Sequence, residues 1–211
     1  MNINFKKEIS IFLAVFLASC VFVYLLLNGG AYSEILKYEL FPDSLRAEAS
    51  ADDKLISGLN EKNYYLYIPK IEVLAPVIPF EDTSEKSVSA VLEKGVGLYA
   101  GSQLPGKAGR AVILGHSSKE TWYHRDGQYA YNFALLDKLQ NGDEILVVFE
   151  GKKLIYKVFS NSILTPEKTN EILSQKPEGD SEIALITCWP IGFSLKRVLI
   201  QAELIRVEKI K

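Results

Sequence analysis

The chain begins with one unbroken apolar run, Ile9 to Leu27, and from about Asn63 changes to short apolar segments cut by turn residues. The run carries no charge and approaches the length needed to cross a bilayer as a helix. After it, Tyr32, Ile35, Leu36 and Leu40 recur at helical spacing and stop before Pro42, which predicts a short amphipathic helix over Tyr32–Phe41, at the membrane surface or against the domain. Asp43 to Asp53 is small and polar and reads as a stalk. The later texture is β-rich: Tyr64–Ile68, Ile71–Ile78, Arg110–His116, Glu144–Phe149, Lys153–Phe159, Ala184–Cys188 and Val198–Leu204 read as strands. Pro69 and Pro76 imply an edge or a bulge, and Glu150-Gly151-Lys152 a hairpin turn. Helices are expected from Asp82, with Glu85 three residues on, to Gly95, and over Phe133, Leu135, Leu136 and Leu139 as far as Asn141-Gly142. Another is expected after Thr165-Pro166-Glu167. Many short strands with few short helices predict a closed or nearly closed β-barrel.

Composition adds limits. The 211 residues are 48% hydrophobic and 24% charged, enough for one buried domain plus an extra segment. A net charge of −2 with scattered Lys and Arg argues against a nucleic-acid partner. Lys6 and Lys7 precede the apolar run, so the positive-inside rule puts the N-terminus in the cytoplasm and the rest outside. The run is longer than the core of a cleaved signal peptide. Leu17-Ala18-Ser19-Cys20 has the form of a lipoprotein box, but the sequence stays apolar after Cys20. An uncleaved single-pass anchor is therefore expected, with residues 1–8 cytoplasmic, 9–27 spanning, 28–60 a juxtamembrane helix and linker, and 61–211 the folded domain.

Only two cysteines occur, and Cys20 lies within the apolar run, so Cys188 is the one thiol an aqueous substrate can meet. A free cysteine is more often a small core residue than a nucleophile. Two neighbours change that balance. A hairpin between the strands around Cys188 and Arg197 has its midpoint at Gly192 and Phe193, so those two residues face each other and share a face of the sheet. A guanidinium there would favour thiolate or hold an oxyanion. His116, after the Val112-Ile113-Leu114-Gly115 strand, is the candidate base, although its distance in sequence from Cys188 neither supports nor opposes the pairing. His124 lies in a polar aromatic loop and reads as surface or cleft rim. Thr187, Trp189 and Trp122 are candidate substrate contacts. No metal-ligand spacing or phosphate loop appears and no cofactor is expected; calcium modulation through clustered acids such as Glu81 and Asp82 stays open, with no motif to support it.

These segments together resemble the sortases, cysteine transpeptidases of bacterial cell surfaces. The resemblance rests on Leu185-Ile186-Thr187-Cys188, on Arg197 before Val198-Leu199-Ile200, and on Val112-Ile113-Leu114-Gly115-His116. It extends to Tyr67-Ile68-Pro69-Lys70-Ile71 and Lys94-Gly95-Val96-Gly97, over about the last two-thirds of the chain. Ala184 stands where the family pattern has Thr. The resemblance implies an eight-stranded barrel, with Cys188 as nucleophile, His116 as acid and base, and Arg197 steadying the substrate. It also implies the partners: secreted proteins with a C-terminal Leu-Pro-x-Thr-Gly-like sorting signal, cut after Thr and joined to an amine of a cell-wall precursor or a pilin. A pilin-polymerising subclass often carries an Asp-Pro-aromatic lid, whereas Phe41-Pro42-Asp43 runs in the reverse order. The competing expectation is a non-catalytic, membrane-tethered β-domain that binds peptides or surface proteins and tolerates loss of Cys188.

Overall fold

The computed structural model describes residues 2–40, 56, 58–59, 63–118, 128–177 and 179–210. Eight strands close a barrel: β1 (Tyr64–Ile68), β2 (Val73–Pro79), β3 (Val96–Leu98), β4 (Gly109–Leu114), β5 (Glu144–Phe149), β6 (Lys152–Leu164), β7 (Ser181–Trp189) and β8 (Lys196–Lys209). Their order around the barrel is β1-β2-β3-β4-β7-β8-β6-β5. The β2–β3 and β4–β7 pairs are parallel and the rest antiparallel. Inward-facing side chains at alternate positions, among them Ala111, Ile113, Ile183, Leu185, Val198 and Ile200, fill the interior.

Closure leaves no edge for Pro76, which pairs with Tyr65 inside β2. It is tolerated because β3 is short and its pairing with β2 begins only at Val77. The strand expected from Ile71 starts at Val73, after a 3₁₀ turn over Pro69–Ile71 closed by Glu72 in the left-handed region, φ 51°. Helix α3 (Glu85–Leu92) is capped by Ser84, whose hydroxyl accepts from Ser87 N, rather than by Asp82. Asp82 instead accepts from Ser84 N at 2.7 Å in a turn of its own. Over 133–139 there is no α-helix, only a 3₁₀ turn at Leu136–Lys138. Phe133, Ala134, Leu135 and Leu136 are consecutive and all buried, so no polar face remains for a surface helix. The β5–β6 turn needs two residues, Glu150 (φ 49°) and Gly151 (φ 67°), as a tight hairpin requires. Helix α4 (Pro166–Ser174) starts as expected, with Thr165 accepting from Lys168 N.

Among the described residues, helices α1 and α2 precede the barrel. In α1 (Asn2–Leu27), Lys6–Leu27 has a mean hydropathy of 2.7 and is long and apolar enough to cross a membrane, and its side chains are exposed except for the partly buried Tyr24. Helix α2 (Gly29–Leu40) begins three residues before the expected start and packs on the domain. Ala31 is buried, Ile35 and Tyr38 rest on the barrel core, and Lys138 Nζ meets Glu39 at 2.7 Å. Residues 41–55 of the expected linker lie outside the described residues, while Ile56, 2% exposed, packs on Tyr67, Leu146 and Ile155.

Candidate active site

Alternation along the strands decides which residues meet. Ile183 and Leu185 of β7 point into the barrel, whereas Ala184 and Ile186 belong to an outer cluster with Val112 of β4 and Leu199 of β8. By the same period of two, Cys188 and Arg197 lie on the outer face. They are direct partners across the β7–β8 pair. Cys188 is a free thiol, partly exposed. The Arg197 guanidinium is turned toward the connecting loop, where Nη1 donates to Ser194 O and Lys196 O, both at 2.9 Å. Those two bonds hold its position from the loop side.

His116 follows β4 by two residues. Strands β4 and β7 pair in parallel from Gly109↔Ser181 to Leu114↔Ile186. The pairing is carried further by Gly115 N–H donating to Ile186 O at 3.1 Å and by the Thr187 hydroxyl donating to Gly115 O at 2.9 Å. His116 thus stands level with Cys188, one strand away, and its own carbonyl accepts from Phe133 N at 2.9 Å. Phe133 also fits over Gly115, where a Cβ would lie 2.5 Å from the ring. The strand end carrying His116 is held from both sides.

A cavity of about 660 Å³ runs along this outer face. Val112, Leu114 and Ile186 line it from the sheet, Leu173 and Asn170 from α4, and Tyr99 and Gln103 from the β3–β4 connection. Arg197 stands at one end and Arg110 at the other. Arg110 pairs in register with Glu182, its Nε and Nη2 both 3.0 Å from Glu182 Oε2, in an almost fully buried ion pair. Its Nη1 also donates to the carbonyls of Ile172, Leu173 and Gln175 at the end of α4. Arg110 therefore fixes the wall of the cavity to its floor.

A family model of the sortase domain matches residues 66–205. The chain belongs to the sortase family. Among curated relatives it is 32% identical to sortase SrtE2 of Streptomyces coelicolor over 93 residues, 41% of this chain and 36% of that one. It is 28% identical to sortase SrtE1 of the same organism over 152 residues, 66% of this chain and 39% of that one. The chain thus spans well under half the length of the curated relatives it matches. Among solved structures, S. coelicolor sortase E1 with a tripeptide in the active site is 25% identical with a TM-score of 0.57, covering 71% of this chain and 91% of that one. Streptococcus pneumoniae sortase C is 28% identical with a TM-score of 0.55, covering 70% and 68%. Listeria monocytogenes sortase A, at 21% identity, shares the fold, with a TM-score of 0.56 over 72% and 92%.

Within this sortase fold two of the expected substrate contacts, Thr187 and Trp189, alternate with Cys188 along β7 and so lie on its other face. Thr187, 3% exposed, points to the opposite side and spends its hydroxyl on Gly115. Trp189 packs against the barrel core, with Lys196 Nζ 5.7 Å from the centre of its ring. Trp122 and His124 lie outside the described residues. So do Phe41, Pro42 and Asp43, the reversed lid motif. Among the described residues no three His, Cys, Asp or Glu side chains gather as metal ligands. Sequence reasoning passed over Arg110 and Glu182, although both carry charge on strands otherwise apolar. A buried ion pair was the one physical reading open to them.

Proposed function

We propose that this chain is a membrane-anchored cysteine transpeptidase acting on an extended peptide signal. The observation that carries the reading is that Cys188 and Arg197 are partners across β7 and β8, that the β4–β7 register carried two residues past Leu114 brings His116 level with Cys188, and that Arg197 also lines a groove with an apolar floor. In the proposed cycle the Cys188 thiolate attacks the peptide carbonyl, forming a C–S bond, and Arg197 offers donors to the oxyanion. The C–N bond breaks as protonated His116 gives its proton to the departing amine. An acceptor amine then attacks the thioester, His116 takes up its proton, and the C–S bond breaks to restore the thiolate. The bond energy stays in the thioester, so the exchange needs no nucleotide.

The family and the groove support a substrate class: a secreted protein with a C-terminal signal of Leu-Pro-x-Thr-Gly type, joined to a cell-wall or pilin amine. The tripeptide in the active site of S. coelicolor sortase E1 supports peptide binding. The apolar Lys6–Leu27 helix with Lys6 and Lys7 at its head supports a bacterial membrane anchor, N-terminus inside and barrel outside. The test is to incubate the full chain in detergent with a library of such peptides and follow intact mass. An adduct on Cys188, lost in Cys188→Ala and released by added amines, is the expected result. A chain whose Cys188 stays unmodified with every peptide, and resists thiol reagents, would instead favour the non-catalytic binding domain.

A further inference from the structure

The last turn of α1 is bonded to the loop that joins the Cys188 and Arg197 strands. The Tyr24 hydroxyl donates to Ile191 O at 2.6 Å, and the Tyr24 ring stacks on Phe193 with centroids 5.5 Å apart. One turn further on, the Asn28 side-chain oxygen accepts from the Ser118 hydroxyl, which itself accepts from Gly192 N, both at 3.0 Å. A Cβ on Gly192, whose φ is +78°, would lie 2.7 Å from that Asn28 oxygen. The loop and the segment following His116 are thus both held by the end of the apolar helix. Where Tyr24 goes, the loop goes.

What the loop then turns outward is apolar. Phe193 is 51% exposed, and Leu195, at 69%, is as exposed as Phe12, 68%, in the middle of the apolar helix. Lys196 follows, exposed and laid over Trp189. Tyrosine near the end of a spanning helix marks the interfacial layer, where apolar side chains dip toward the acyl boundary and lysine reaches the headgroups. Phe193 shares the depth of Tyr24 by direct stacking. The apolar surface of the loop is therefore continuous with the surface of the helix that enters the bilayer.

We propose that the β7–β8 loop rests in the bilayer interface through Phe193 and Leu195, which turns the Cys188–Arg197 end of the barrel toward the membrane surface. This inference rests on the reading of α1 as a membrane anchor. The opposite end supplies an internal control. Strand β6 pairs Leu164 with Arg197 but Lys152 with Lys209, so the β5–β6 turn at Glu150 stands about 40 Å from the loop at ~3.3 Å per residue.

The test uses the full chain in phosphatidylcholine–phosphatidylglycerol vesicles, in a Cys20→Ala, Cys188→Ala background, carrying an environment-sensitive fluorophore on either Leu195→Cys or Glu150→Cys. The expected result is blue-shifted emission from the Leu195 site and its loss when lipids carry a headgroup nitroxide, with the Glu150 site unaffected. If both labels report water while the protein survives an alkaline carbonate wash, the loop inference is overturned and the anchor stands. Blue-shifted emission that nitroxide lipids leave intact would mean that protein, such as a second copy, covers the loop, and would also overturn it. Protein washed off the vesicles would sink the anchor reading and the inference with it.

Discussion

His116 and Cys188 are separated by 72 residues, the separation that relates the in-register partners Arg110 and Glu182 on strands β4 and β7. The two proposed reacting groups therefore stand at one level of a parallel pair. On the outer face that pair forms three tiers, Arg110 with Glu182, Val112 with Ala184 and Leu114 with Ile186, and the same register carried two residues further brings His116 level with Cys188. A buried ion pair locks one end, apolar residues form the middle, and the proposed reacting groups follow at the other end. A shift of one residue in this register would turn one of the two to the wrong face.

That relation makes His116→Ala informative. Loss of general acid–base catalysis is expected to lower kcat/KM by about 10²–10⁴-fold. Because Cys188 is carried by a different strand, labelling of its thiol by a small alkylating reagent should persist. Loss of labelling along with activity would mean that the substitution had disturbed β7 itself.

Thr187 is expected to act as a positioning residue. Thr187→Val keeps the shape but withdraws the hydroxyl from Gly115 O, at a cost of about 1–3 kcal/mol for a buried acceptor. The melting temperature should fall, and the pH profile of kcat/KM should move because the strand end bearing His116 is loosened. Thr187→Ser should restore both. A pH profile unchanged in the valine variant would reduce Thr187 to a stability role.

Arg110→Met tests the far end of the groove. It removes the guanidinium from the buried Glu182 carboxylate and from three carbonyls at the end of α4, and breaking such a pair costs about 3–5 kcal/mol. With the α4 wall released, KM for peptide should rise more than kcat falls. An equal loss in both would place the effect at the reacting groups rather than at the wall.

The contrast between hairpin and crossover explains what was legible in the sequence. Cys188 opposite Arg197 could be found by counting to the midpoint of a short loop, and β7–β8 pairs them there. His116 could not be aligned with Cys188 in that way, because a parallel pair is joined by a long excursion, here through β5, β6 and α4, whose length does not reveal the register. The placement of Thr187 was available from alternation alone, since a neighbour of Cys188 on a strand points to the other face. The groove was hidden because its wall, α4, shows only a cap and an apolar stripe. The docking of α2 was hidden too, because a barrel or a membrane can cover such a helix equally well.

Asp137 gives a pH prediction. Burial pushes its carboxyl above the ordinary carboxylate value, against the opposing pull of the neighbouring Lys138 ammonium. The folded state then holds the proton to higher pH than the unfolded chain, so stability falls as pH rises from the unfolded value through the raised folded one. Asp137→Asn should raise the melting temperature at pH 7, and the gain should vanish below pH of about 4, where both states are protonated. A gain independent of pH would rule out ionisation as its cause.

Gly115→Ala should show how closely the His116 strand end is fitted. The added methyl would meet the fully buried Phe133 ring at 2.5 Å, and that ring has no open space to enter. Overpacking of this kind costs about 1–3 kcal/mol, and since Phe133 N also holds the His116 carbonyl, displacement of the ring should carry His116 with it. The expected variant is less stable and has a lower kcat/KM, while Cys188 still labels. Phe133→Leu in the same chain should recover part of both losses by making room for the methyl, although alone it should destabilise by leaving a cavity. If the double variant is no better than Gly115→Ala, contact with Phe133 is not what requires glycine there.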